Sequence, residues 1–282
     1  MLYNWNVAKC IATLTLGKKY EDYFNKYSRK GWEEYSHKYK MDLKVINIPL
    51  DISLRASKRS PAWQKLLILS QPWSKQYEQI VWIDSDIVIN VNTSPDIFSF
   101  CEVNRVGAVN SWDFPTQYMY RRMLLEQYSR FEVLGRKIMK NIDPFDYYLN
   151  RGIKPDAIDV PVLQTGVVVC APEHHRELFE HIYYNYEDSF GPEGNYEMPA
   201  MSFEIIKNNF WTPIPNEFNL VVRDFLAIFY PQELHSKRLL AQKMKSLKNR
   251  YLGDPRLARI FQLGWFIHFA GYQYKLHHLK NS

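Results

Sequence analysis

Asp84 and Asp86 stand one residue apart in the segment Gln79-Ile80-Val81-Trp82-Ile83-Asp84-Ser85-Asp86-Ile87-Val88-Ile89, directly after one apolar run and before another. Two carboxylates at that spacing repel each other unless a cation lies between them. Hard divalent ions such as Mg²⁺ and Mn²⁺ take carboxylate oxygens and then phosphate oxygens. In open α/β sheets, ligands collect beyond the carboxyl ends of the strands, which is where this pair falls. The chemistry predicted is a metal ion bridging the protein to a phosphate-bearing substrate. The competing reading is a solvated turn after a strand; the apolar flanks favour the metal.

Other residues carry chemistry only in company. His268 lies between Phe266 and Phe269, where a histidine is commonly a hydrogen-bonded core residue, and Gly271 three positions on gives it a second reading. Thr13 and Thr15 alternate with apolar residues, a pattern that β-propensity alone explains. Lys65 reads either as a basic group near a substrate or as a solvated helix face. Glu197 reads as a reacting carboxylate or a local cap.

The elements that must position these residues follow from periodicity. Val7 to Leu16 reads as a buried first strand stopped by Gly17, and Leu43 to Ile48 as a second, stopped by Pro49. Helical spacing runs between them from Lys18 to Lys40. Ser60-Pro61 opens a helix over Trp63 to Leu69, proline being well tolerated at the first helical position. Ile80 to Ile83 gives a third strand, with others at Val106 to Val109 and within Pro161 to Val169. Strands alternating with helices over the first hundred residues predict an α/β sheet with mostly parallel strands. The stretch from Phe114 to Val160 is long, partly helical and rich in Tyr and Arg. The chain is expected to form one domain, with residues 111–282 more helical than residues 1–110.

The 282 residues suffice to bury a full core, and a hydrophobic fraction of 46% excludes a disordered or collagen-like chain. The formal charge of +6 favours an anionic partner, but basic and acidic residues are interspersed, which argues against a nucleic-acid binder. Cys10, Cys101 and Cys170 form no CxxC pair and read as buried free thiols of a reducing compartment. No run approaches the length of a membrane span, and Met1 to Asn6 lack the features of a signal peptide, so a cytoplasmic protein or a piece of a longer one is expected. Residues 235–251 carry six Lys/Arg and no acid, with Leu240, Met244, Leu247 and Tyr251 at helical spacing. That pattern suits an ordinary surface helix, or a peripheral contact with an anionic membrane.

Taken in order, these segments resemble the GT-A glycosyltransferases, and in particular the retaining branch that includes glycogenin and the bacterial galactosyltransferases. Thr13-Leu14-Thr15, with Tyr20 seven residues after Thr13, resembles the family's uridine-binding first strand and turn. Lys65 lies where the family places a basic residue near the donor sugar. Leu163-Gln164-Thr165-Gly166-Val167 is similar to the strand that lines the donor sugar, and His268 with Gly271 matches the His-x-x-Gly segment. The resemblance spans Val7 to about Lys275.

It implies Asp84, Asp86 and His268 as ligands of Mn²⁺ or Mg²⁺. It implies a UDP-sugar donor, galactose or glucose favoured, held by Thr13, Thr15, Tyr20, Lys65, Ser85, Gln164, Thr165, Gly166, Gly271 and Lys275. It also implies a glycan or other hydroxyl acceptor and retention of configuration, with residues 1–110 as the nucleotide-binding half, 111–282 as the acceptor and sugar-binding half, and acceptor selection in Phe114 to Val160. Two positions depart from the pattern. The family's lysine three residues after the glycine is Tyr274 here, with Lys275 one place late, and its Asp-Gln pair is replaced by Glu197-Met198. Glu197 is the candidate for the group facing the reacting sugar, with Asp113 in reserve. Two rival classes remain: a haloacid-dehalogenase-type phosphatase using Asp84 and Asp86, and a nucleotide-sugar-binding module without turnover.

Overall fold

A computed structural model describes residues 8–133, 135, 139–157, 160–188, 195–231 and 255–270. Its strands are β1 (Lys9–Leu14), β2 (Asp42–Ile46), β3 (Gln79–Ile83), β4 (Ile87–Ile89), β5 (Val106–Asn110), β6 (Leu163–Cys170), β7 (Trp211–Pro213), β8 (Leu220–Val221) and β9 (Phe266–His268). The main sheet has the order β2-β1-β3-β6-β5-β7, and a small sheet has the order β4-β9-β8. In the main sheet only β6 runs against its neighbours, pairing antiparallel with both β3 and β5, while the other pairings are parallel. The mostly parallel α/β sheet expected from the sequence is therefore present, with one reversed strand that the alternation of elements did not signal.

Along β3 the side chains alternate between two cores, as the pleat requires. Ile80 and Trp82 pack with Trp63, Leu66, Phe179 and Met201 on one face; Val81 and Ile83 pack with Phe24, Trp32, Tyr35 and Phe266 on the other. A strand covered on both faces has no polar positions to spare, which is why Gln79–Ile83 reads as a continuous apolar run.

The helices among the described residues are α1 (Lys18–Tyr23), α2 (Arg29–Lys38), α3 (Leu54–Ser57), α4 (Gln117–Val133), α5 (Pro144–Leu149), α6 (Pro172–Asn185), α7 (Met198–Lys207), α8 (Val222–Phe229) and α9 (Pro255–Leu263). A π-helical turn, Phe24–Ser28, joins α1 to α2.

The helix opened by Ser60-Pro61 is a 3₁₀ helix, Pro61–Ser70, with the Ser60 hydroxyl accepting from the Ala62 N–H. Three residues per turn align Trp63, Leu66 and Leu69 in one row, and all of Trp63 to Leu69 is buried. Lys65 is thus enclosed with them; the solvated-face reading fails because this helix has no solvated face at that position. Strand β2 ends at Ile46, two residues short of the expected span, and Ile48 stands 67% exposed. The three cysteines are free and buried, and burial pushes the Cys10 and Cys101 thiols up to about 12. No helix among the described residues is long and apolar enough to cross a membrane. The basic stretch 235–251 lies outside the described residues.

Candidate active site

The acidic pair leaves β3 at the carboxyl edge of the parallel strands. The Asp84 N–H donates to the Gly166 carbonyl at 2.8 Å, so the β3–β6 ladder extends one residue past the strand. The chain then turns, with the Ile87 N–H donating to the Asp84 carbonyl, and enters β4 in the small sheet. There β9 pairs antiparallel with β4 in a register that sets Ile87 opposite His268. Asp84, Asp86 and His268 consequently converge from two parts of the chain, and one ligand atom from each lies within 4.8 Å of the others.

His268 Nε2 stands 3.4 Å from Asp86 Oδ1. Its other ring nitrogen, Nδ1, donates to Asn219 Oδ1 at 2.8 Å. With Nδ1 turned to Asn219, Nε2 is the nitrogen that faces the carboxylates, and it is the one that would ligate a metal after giving up its proton. Two carboxylates and one imidazole form a donor set suited to Mn²⁺ or Mg²⁺, so the residues present fit a divalent ion. Burial alone would lower the His268 pKa, but the Asp86 carboxylate outweighs it and the imidazole is held above its ordinary value. Burial raises the Asp84 carboxyl, against the opposing pull of Lys65 and His268.

On the other side of Asp84 sits Lys65. Its ammonium has three N–H groups, and each has a partner: Glu197 Oε1 at 2.7 Å, the Thr165 carbonyl at 2.9 Å and Asp84 Oδ1 at 3.1 Å. The Trp82 ring lies 5.6 Å away, and its indole N–H donates to Asp84 Oδ1. Burial disfavours the charged amine, but the two carboxylates overcome it and raise the Lys65 pKa. Glu197 is 2% exposed and also accepts from the Thr165 hydroxyl at 2.8 Å, so both of these bonds fall on Oε1. It occupies the residue before α7 without capping that helix through its side chain. The tether to Lys65, rather than a local role, accounts for its orientation.

Other expected residues sit at varying distance from this cluster. Gly166 belongs to it: a β-carbon there would meet His268 Cε1 at 2.6 Å. Thr165 joins it through both its carbonyl and its hydroxyl. Gln164 and Ser85 are half-buried along the same edge. Thr13 is fully buried and its hydroxyl has no hydrogen-bond partner among the described residues. Thr15 Oγ1 donates to the Ile46 carbonyl of β2 at 3.4 Å. Tyr20 is 50% exposed. Asp113 is exposed and accepts from Asn110 Nδ2 at 2.7 Å, with no hydrogen bond or ion pair to the acidic cluster among the described residues. Gly271 and Lys275 lie outside the described residues.

Two further side chains, Trp82 and Asn219, belong to the site. Trp82 shares a strand face with Asp84 through the two-residue period, a signal that was there to be used. Asn219 was invisible, because it reaches His268 only through the parallel pairing of β8 with β9, which sets Val221 opposite His268.

No family model matches the chain, and no curated protein matches it by sequence. Among solved structures, a glycosyltransferase involved in the glycosylation of the major capsid of PBCV-1 is similar over 96% of this chain and 97% of its own, at 13% identity and a TM-score of 0.51. The bifunctional glycosyltransferase WbbM aligns over all of this chain and 51% of its own, at 13% identity and a TM-score of 0.47. At that identity the first likeness is one of architecture: this chain shares the mixed α/β fold of that glycosyltransferase.

Proposed function

We propose that this chain is a metal-dependent glycosyltransferase that moves a hexose from a UDP-sugar to a glycan or other hydroxyl acceptor, with retention. The observation that carries the reading is the convergence of Asp84, Asp86 and His268 beside a buried Lys65–Glu197 pair at the carboxyl edge of the sheet. Asp84, Asp86 and His268 would hold Mn²⁺ or Mg²⁺, which supplies Lewis-acid stabilisation of the charge on a departing diphosphate.

The protein's own groups have separate tasks. Asn219 fixes the tautomer of His268. Lys65 neutralises Asp84 and Glu197, which would otherwise repel each other and the diphosphate. Glu197 is assigned to the oxocarbenium-like sugar centre, which needs a negative or polar group on its far face. Asp113 is the weaker assignment, since its carboxylate is exposed and engaged with Asn110. Thr13, Thr15 and Tyr20 are assigned to the uridine, and Ser85, Gln164, Thr165 and Gly166 to the diphosphate and donor sugar. Gly271 and Lys275 retain their assignment to the diphosphate from the sequence pattern. Galactose or glucose is the sugar proposed.

Incubation with Mn²⁺ and a panel of UDP-sugars, with UDP release as the readout, tests this function. Release that depends on the metal and is abolished in Asp86→Ala is expected. Release of phosphate from simple monoesters would overturn the reading in favour of a phosphatase. Tight UDP-sugar binding without turnover would leave a binding module.

A further inference from the structure

Next to the buried cluster lies a cavity of about 290 Å³ whose wall includes Arg151, Tyr186, Asp188, Tyr196, Pro199 and Ala200. That is near the lower end of small-molecule pockets, on the order of 300 Å³, and suits a ligand of monosaccharide size. Tyr196, Pro199 and Ala200 bracket Glu197 in the chain, so the turn that buries this carboxylate also forms the cavity wall.

The backbone of that turn is unusual. Asn195 has φ 61° and Tyr196 φ 54°, two successive left-handed residues without a glycine. Asparagine tolerates this region, but for tyrosine it costs about 1–2 kcal/mol. Such strain persists where the surroundings over-determine it and concentrates at ligand sites. Here it presents Tyr196 37% exposed while its neighbour Glu197 is buried.

The polar groups on the wall differ in how far they are already engaged. Arg151 donates to Asn141 Oδ1 and the Tyr147 carbonyl, and its guanidinium lies 4.0 Å over the Tyr147 ring. Glu187 is held by Arg55 and Arg59. Asp188 accepts one bond among the described residues, from the Ser60 N–H to Oδ2 at 3.2 Å. The Tyr196 hydroxyl makes none among them. Burial pushes this hydroxyl's pKa up, and the fields of Asp188, Tyr20 and Glu197 act in the same direction, so it remains a neutral donor and acceptor.

We propose that this cavity is the acceptor subsite and takes a neutral, hydroxyl-rich ring, a saccharide unit, through the Asp188 carboxylate and the Tyr196 hydroxyl. The proposal rests on the glycosyltransferase reading above and names its acceptor class. The Asp188 carboxylate disfavours an anionic ring, while Glu187 is taken up by Arg55 and Arg59 and the Arg151 guanidinium is engaged by Asn141 and the Tyr147 carbonyl. The expected stretch Phe114 to Val160 contributes Arg151, Gly152 and Ile153 to the wall, and the rest comes from the segments flanking α6 and α7.

Saturation-transfer NMR with methyl glycosides of glucose, galactose, mannose and N-acetylglucosamine, with glucuronic acid as the charged comparison, tests it. Wild type, Asp188→Asn and Tyr196→Phe are compared, each with its thermal midpoint recorded. At least one neutral glycoside should bind wild type, and both variants should weaken it by roughly tenfold, as loss of a hydrogen bond to a sugar hydroxyl predicts. Failure of every glycoside to bind, or binding unmoved by both substitutions, overturns the acceptor subsite. Tighter binding of glucuronic acid overturns the neutral class. Should Asp188→Asn fail to fold, Tyr196→Phe decides alone. The affinity of wild type for UDP with Mn²⁺, measured on the same samples, reports on the functional reading: its absence sinks that reading, while its presence without glycoside binding sinks only this assignment.

Discussion

Gly166 and His268 determine each other's environment: a β-carbon on Gly166 would stand 2.6 Å from the imidazole Cε1 and 2.8 Å from Nδ1. The ring is held from behind by Asn219, so it has little room to retreat. Gly166→Ala should destabilise the protein by roughly 1–3 kcal/mol through overpacking. It should also weaken Mn²⁺ binding, because the imidazole can yield only by leaving its position beside Asp86. Urea denaturation and Mn²⁺ titration by electron paramagnetic resonance check the two effects together.

Asn219 offers a milder perturbation of the same ring. It touches no carboxylate of the cluster and acts only by orienting His268 and fixing its proton. Asn219→Ala is expected to lower Mn²⁺ affinity about 10–100-fold, the range typical of partners behind a ligating histidine. An unchanged affinity would mean that His268 does not bind the ion.

Lys65 is a different case, since its loss leaves charges behind. Lys65→Met would leave Asp84 and Glu197 without the cation that lies between them. Breaking a buried ion pair from one side costs roughly 3–5 kcal/mol, and a large fall in the urea midpoint at neutral pH is expected. Lys65→Arg should recover little of it, because a planar guanidinium cannot reproduce the three-way ammonium geometry.

Much of this site was legible in the sequence, and the physical reasons separate what was from what was not. The acidic pair was visible because a strand buried on both faces reads as an unbroken apolar run, and its end marks the sheet edge. His268 became visible only in company with Gly271 and Asp84/Asp86. Lys65 was ambiguous because a lysine in a helix is ordinarily solvated; its burial depends on a 3₁₀ row and on two carboxylates distant in sequence. Asn219 and the reversal of β6 are tertiary facts: neither periodicity nor spacing encodes which strand lies beside which. The solvent-facing position of Asp113 follows from a short 3₁₀ turn, Ser111–Asp113, that no local pattern announced.

Away from the site, His175 gives stability a pH dependence. It is fully buried at the start of α6, accepts the Ala171 N–H on Nδ1 at 2.9 Å, and burial pushes its pKa down to about 4. The unfolded chain would protonate this residue near its ordinary value of about 6.5. Between these values the unfolded state binds the extra proton, so stability is fully present above about pH 6.5 and is lost as the pH falls toward 4. The loss should be on the order of 3 kcal/mol. His175→Asn, which keeps an acceptor for the Ala171 N–H, should flatten this part of the profile when denaturation midpoints are followed from pH 7 to 4.

Strand β9 is three residues long and ends on His268, while the next N–H, that of Phe269, donates to the Asp86 carbonyl. Its ladder with β4 is therefore a ruler as well as a support, since a slip of one residue would turn the imidazole to the opposite face. Fraying of that short strand and loss of an ion from the carboxylates become a single equilibrium viewed from two ends. An ion bound there acts as a latch on the late part of the chain, and the Phe269 amide should exchange with solvent more slowly as Mn²⁺ is added.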